Sequence, residues 1–284
     1  MSEQQNVNNI LIDISNPLKI KNKVFSSEFT DQSIINKKIS DFYNIITKSI
    51  VSLTKASISK ENFIILGDDD ISESSVLRAK SNEIATGVNQ NNQKPSNIEY
   101  EYHTIMLDVS NIIEKNYKPL YDLKLVCDHI RQNGNKFILE LVTKPSKKDF
   151  NNYGEDSEVE KIMLVNIVEN LHNFSINPDI WIIENKDSDF ISTASAMIHL
   201  DDRKNSILLR KSNSFTDNSI DDNKIYGKSY GINGVVISDY TYEKVLNDYL
   251  NEKISEKDFV NTISIDILNA YKNLENANKI YELL

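Results

Sequence analysis

Cysteine, glycine and positive charge are scarce in this sequence, and each shortage narrows the chemistry. A single cysteine, Cys127, excludes an intramolecular disulfide and any zinc site of the multi-cysteine kind. Within Leu125-Val126-Cys127 it reads as a small hydrophobe on the buried face of a helix. Seven glycines in 284 residues fall well below the usual share of about 7%. Phosphate-binding barrels generally need glycines in their strand-to-helix loops, where backbone must approach the ligand closely. A formal net charge of −10 offers no positive field to gather nucleic acid or an anionic membrane surface. No Lys/Arg block exceeds the pairs Lys37-Lys38 and Lys147-Lys148.

Other absences are equally informative. No apolar run approaches the roughly 18 residues that would span a bilayer. Met1-Ser2-Glu3-Gln4-Gln5 has neither a basic nor an apolar leader region. The expectation is a soluble, cytoplasmic protein with no nucleic-acid and no membrane partner. There is no Gly-rich dinucleotide fingerprint, no P-loop and no internal repeat beyond a strand-helix unit. His103, His129, His172 and His199 lie far apart, with no His-x-His or His-x₃-His pair. Neither a cofactor nor a metal is expected.

What is present is an alternation of apolar patterns. Ile34, Ile35, Ile39, Phe42, Ile45, Ile46, Ile50 and Leu53 recur at three- and four-residue steps and predict a long helix. Residues 119–131 predict a second helix, stopped at Gly134. Strands are expected around Val24, Ile64, Ile84, Met106, Leu139, Trp181, Leu208 and Val236, with helices between them and closing helices over 242–250 and 259–274. Eight such units fit an α/β fold of the (β/α)₈ TIM-barrel class, with an open doubly wound sheet as its rival. Residues 1–16 are expected to be an N-terminal extension, and residues 17–284 a single barrel domain. The run Asp68-Asp69-Asp70 suits a hard cation by ligand type, but it fits better as the acidic entry to the helix that begins near Glu73.

The organising stretch is Asn177-Pro178-Asp179-Ile180-Trp181-Ile182-Ile183-Glu184. Pro178 breaks what precedes it, and a short strand rich in β-branched residues follows. Alternation places Asp179, Trp181 and Ile183 on one face and Ile180, Ile182 and Glu184 on the other. Together with Val76-Leu77-Arg78-Ala79-Lys80, Phe137-Ile138-Leu139-Glu140-Leu141-Val142 and Gly234-Val235-Val236, this stretch resembles a family of class I aldolase-like barrels. That family is found fused behind the sugar kinase of inositol catabolism and is associated with cleavage of 2-deoxy-5-keto-gluconate 6-phosphate; it is similar to bacterial tagatose-bisphosphate aldolases.

The resemblance implies a Schiff-base lysine within Asp-x-x-Lys-x-Glu. The matching positions are Asp179, Ile182 and Glu184, so both acids remain and the amine is replaced by an alkyl group. It also implies a proton-moving role for Glu140. A Gly-Arg phosphate grip after the last strand is replaced by Ser238-Asp239, and a Lys and an Arg on the fourth strand by Thr104 and Asp108. An isoleucine can neither attack a ketone nor carry an iminium.

The expected protein is therefore an aldolase-like barrel that has lost Schiff-base catalysis and serves a binding or structural role. The competing reading is an active sugar-phosphate lyase in which Glu140 and Glu184 work with a relocated amine, Lys211, beside Arg210. A sugar-phosphate ligand and a homo-oligomeric or protein partner complete the expectations. Tyr240, Tyr242, Tyr249, Phe259, Ile280 and Tyr281 are read as either a partner face or helix-to-barrel packing, with packing preferred.

Overall fold

A computed structural model describes residues 9–24, 31–68, 70–90, 98–109, 117–153, 156–200, 205–210 and 231–282. Eight parallel strands close into a barrel in sequence order. They are β1 Asn9–Asp13, β2 Phe63–Gly67, β3 Ala85–Asn89, β4 Tyr102–Asp108, β5 Lys136–Val142, β6 Ile180–Glu184, β7 Ser206–Arg210 and β8 Ile232–Ser238. The described helices are α1 Pro17–Val24, α2 Gln32–Ala56, α3 Glu73–Ser81, α4 Lys118–Gln132, α5 Lys147–Tyr153, α6 Asp156–Asn173, α7 Ser188–Ile198, α8 Glu243–Leu250 and α9 Glu256–Glu282.

Two sequence-based expectations need correction here. Residues 9–13 are not part of an extension: they form β1, which pairs with β2 on one side and with β8 on the other and so closes the ring. Val24 ends no strand; it is the last residue of α1. The apolar stretch Ile10-Leu11-Ile12 is short, but all three side chains are fully buried, two against the helices and Leu11 in the barrel interior.

Period-two alternation sorts the strands into two cores. Leu11, Ile64, Leu66, Tyr102, Ile138, Ile180, Ile182, Leu208 and Val236 fill the barrel. The intervening residues, including Trp181, face the helices, where Trp181 is fully buried and sits edge-on to the ring of His172 on α6. His172 thus packs against the outer wall of the barrel. Glycine is spent where the barrel is tightest: a Cβ on Gly234 would collide with the Asn9 carbonyl oxygen, so the β8–β1 seam depends on its absence.

Local signals explain the helix ends. Asp31 caps α2 by accepting from the Ser33 N–H at 2.9 Å. Asp187 caps α7 by accepting from the N–H groups of Asp189 and Phe190. Asp68 accepts from the Ser72 N–H at 2.7 Å in the turn leading to α3. Gly134, at φ +76°, ends the α4 chain reversal in the left-handed region. Cys127 is fully buried on the inner face of α4. Tyr242 and Phe259 are likewise interior, and Tyr249 packs on Phe259 with ring centroids 5.1 Å apart, so these three serve packing.

Candidate functional site

In a parallel barrel the ligand-facing groups stand at the C-terminal strand ends. Continuing the interior alternation outward from Leu11, Ile138, Ile182, Leu208 and Val236 brings Asp13, Glu140, Glu184, Arg210 and Ser238 toward that end. Arg210 is the hub of this group. Its Nη2 donates to Glu140 Oε2 at 2.7 Å and lies 2.9 Å from Asp13 Oδ2. Its Nε pairs with Glu140 Oε1, and its Nη1 donates to Ser238 Oγ at 2.6 Å. One planar guanidinium fork thereby ties β1, β5, β7 and β8 together across the interior.

The two carboxylates are not equivalent. Asp13 Oδ1 also accepts from the Ser15 N–H at 3.1 Å and the Ser15 hydroxyl at 2.6 Å. Burial works against its ionisation, but the Arg210 charge and the Ser15 donors prevail and hold its carboxyl below the ordinary 3.8. For Glu140 burial wins over Arg210, and the negative charges of Asp13 and Glu184 add to it, so its carboxyl sits above the ordinary 4.5. Burial also opposes the charge on Arg210, yet its two carboxylate partners outweigh that and raise its pKa. A proton entering this cluster goes to Glu140 first.

The stability consequence has a definite sign. A carboxyl whose pKa is raised by folding binds a proton more readily when folded, so the contribution of Glu140 to stability falls as pH rises from 4.5 through its folded value. Asp13 behaves oppositely: its contribution is present above 3.8 and is lost as pH falls through its lowered folded value. In urea melts, Glu140→Gln is therefore expected to gain on the wild type as pH is raised from about 4.5 to about 7. Asp13→Asn should trail the wild type near neutrality, with the deficit shrinking on acidification below about 4. Parallel pH profiles for wild type and Glu140→Gln would contradict this assignment.

The other sequence-derived candidates are distributed as follows. Ile182 is fully buried in the interior, with Glu140 and Leu208 as its register neighbours on β5 and β7. Glu184 is half-buried and accepts from Thr143 Oγ1 at 3.2 Å. It also lies 3.2 Å from Lys186 Nζ. Glu140 and Glu184 are thus each held by a different cation. Asp179, grouped by the resemblance with the motif acids, does not stand with them: it precedes β6, at the opposite end of the barrel, where its Oδ2 accepts from the Phe137 N–H at 2.8 Å. Asp239 opens a single 3₁₀ turn, Asp239–Tyr242, after β8. Lys211 lies outside the described residues. The Thr104 hydroxyl is buried with no hydrogen-bond partner among the described residues.

Sequence reasoning missed Asp13, took Arg210 only as a neighbour of Lys211, and passed over Lys186. The signal for Arg210 was its place two residues beyond Leu208 on the same face of one strand. Lys186 Nζ lies 2.6 Å from Glu160 Oε2, donates to Thr143 Oγ1 at 3.0 Å and sits 5.1 Å from the centre of the Phe190 ring. Its contacts thus run to α6, α7 and the loop after β5. Among the described residues, no group of three or more His, Cys, Asp or Glu side chains is arranged to hold a metal ion. No described helix is long and apolar enough to cross a membrane.

Comparison with protein-family models and with curated proteins returns no match. Solved structures do match. A Corynebacterium glutamicum protein superposes with a TM-score of 0.50 at 8% identity, covering 92% of this chain and 86% of that one. A fructose-bisphosphate aldolase from Slackia heliotrinireducens gives 0.50 at 9% identity, with 96% and 84% covered. An archaeal fructose 1,6-bisphosphate aldolase gives 0.50 at 9% identity, with 93% and 94% covered. At such identities the likeness concerns the fold alone, a closed (β/α)₈ barrel.

Proposed function

We propose that this chain is a member of the aldolase-like barrels that has given up imine chemistry and acts by binding. The reading rests on Ile182, whose alkyl side chain is fully buried at the position the resemblance assigns to the nucleophile. A class I aldolase needs an amine that attacks the ketone, loses water to form an imine, and then accepts the electron pair released when the carbon-carbon bond breaks. A buried isoleucine supplies none of these steps. The relationship to the kinase-fused family of inositol catabolism belongs to the same proposal, as does a cytoplasmic location.

The charges around the mouth support the reading. Arg210 already spends its fork on Asp13, Glu140 and Ser238, so a phosphate arriving there would displace carboxylates rather than meet an available cation. The ligand favoured by this mouth is accordingly not a sugar phosphate held through Arg210.

The test is borohydride trapping of the wild-type protein with a ketose phosphate and with dihydroxyacetone, read by intact mass and peptide mapping. No covalent adduct is expected on any lysine. A reduced adduct on Lys186, Lys211 or any other lysine, together with carbon-carbon cleavage of the sugar, would overturn the proposal and establish a relocated-amine lyase.

A further inference from the structure

A concavity lies outside the barrel wall, away from the mouth. Alternation turns His103 of β4 outward, between the inward-facing Tyr102 and the buried Thr104. α4 runs past it, and Gln90 follows the end of β3, which reaches only the first half of β4 in register. The resulting cavity has a volume of about 430 Å³, within the range of small-molecule sites. Gln90, His103, His129, Asn133 and Asn135 supply its polar lining, and Leu125, Val126 and Ile130 form an aliphatic wall.

Two properties of this lining restrict what it takes. First, none of the described residues that line it is Asp, Glu, Lys or Arg, although charged residues make up 26% of the chain. A charged ligand would give up hydration there without meeting a counter-ion. Secondly, the polar groups are carboxamides and imidazoles already in contact with one another. His103 Nδ1 meets Gln90 Nε2, His103 Nε2 meets Asn135 Nδ2 at 3.0 Å, and Asn133 Nδ2 meets His129 Nε2 at 3.2 Å. A neutral imidazole carries one donor and one acceptor, and each carboxamide carries both, so turning an amide or moving a ring proton exchanges the two roles. Gly134, with its positive φ, lets Asn133 and Asn135 reach the same cavity from either side of the turn.

We infer that this outer cavity is a binding site for an uncharged nitrogen heterocycle of the nucleobase or nucleoside class. Such a molecule has adjacent donors and acceptors along one edge, which a carboxamide matches with two hydrogen bonds. It also has a flat face, which the wall of Leu125, Val126 and Ile130 and the imidazole rings can cover. A free sugar fits less well, since no phenyl or indole ring and no carboxylate is among the described lining residues. The inference is independent of Ile182 and of the mouth.

The experiment uses the full chain and titrates adenosine, guanosine, cytidine and uridine, with glucose and adenosine monophosphate as contrasts. Binding is followed by calorimetry and by the imidazole resonances of the four histidines. At least one nucleoside is expected to bind and to shift the signals of His103 and His129 while leaving those of His172 and His199 in place. His129→Leu and Asn133→Leu, both at exposed positions where the fold tolerates change, should each weaken that binding about tenfold or more. Glucose or the monophosphate binding better than every nucleoside would overturn the inference. So would the absence of nucleoside binding at about 10 mM, an affinity too weak to serve recognition. Nucleoside binding that both variants leave unchanged would overturn it as well.

Discussion

Replacing Arg210 by methionine is expected to cost about 3–5 kcal/mol of stability near neutral pH, the usual penalty for stripping the partner from buried charge. The side chain is only 15% exposed, and its two carboxylate partners, Asp13 and Glu140, are 14% and 10% exposed. Without the guanidinium these two acids remain in a low-dielectric interior with no cation between them. They can relieve the strain by taking up protons, Glu140 first. Urea melts should therefore show a smaller deficit near pH 4.5 than near pH 7. Methionine retains much of the arginine stem's packing, which separates the electrostatic loss from a cavity.

The triple variant Asp13→Asn, Glu140→Gln, Arg210→Met should recover most of the loss, since a neutral set no longer confines an uncompensated charge. A single variant within about 1 kcal/mol of wild type, the range of an exposed ion pair, would show that the clasp is solvated and dispensable. So would a deficit that does not respond to pH.

The second large effect is chemical. Ile182→Lys places an amine in the apolar interior layer, and the expected cost is about 2–5 kcal/mol, as for a buried polar group without its own partner. Desolvation favours the neutral amine there, because the register neighbour Glu140 is already engaged by Arg210. A neutral amine attacks a ketone. Dihydroxyacetone with borohydride should then label residue 182 of the variant and leave the wild type unmodified, while neither protein cleaves a ketose phosphate. If the folded variant stays unlabelled, position 182 is not accessible from the mouth and the correspondence drawn from the resemblance is wrong.

The barrel itself was legible in the sequence because seven of its strands are runs whose burial is written locally, such as Phe137-Ile138-Leu139 and Ile180-Trp181-Ile182. The first strand was not. Ile10-Leu11-Ile12 is flanked by Asn and Asp, and what makes it a strand is pairing with residues 63–66 and 234–238, partners remote in sequence. Val24 was attractive for the opposite reason: a β-branched residue beside an aromatic one has local strand character, and here it closes a helix. Missing β1 hid Asp13, and without Asp13 the double engagement of Arg210 could not be foreseen.

Asp179 was readable from spacing alone. Five strand steps of about 3.3 Å put it roughly 16 Å from Glu184, and on the other face. The resemblance grouped it with the catalytic acids although the geometry of its own strand opposes that role. The outer cavity was invisible for a different reason. Its two histidines are 26 positions apart, on a strand and on the helix that follows it, and only the return of α4 along the outside of the barrel brings them to one cavity.

The seam between β1 and β8 also governs how the molecule is made. Because β1 must wait for residues 234–238, a nascent chain still on the ribosome carries one unsatisfied strand edge for most of its synthesis, with Ile10 and Ile12 beside it. Such an edge invites pairing with another chain. A chain that ends before residues 234–238 is therefore expected to associate with other chains more readily than the closed barrel does.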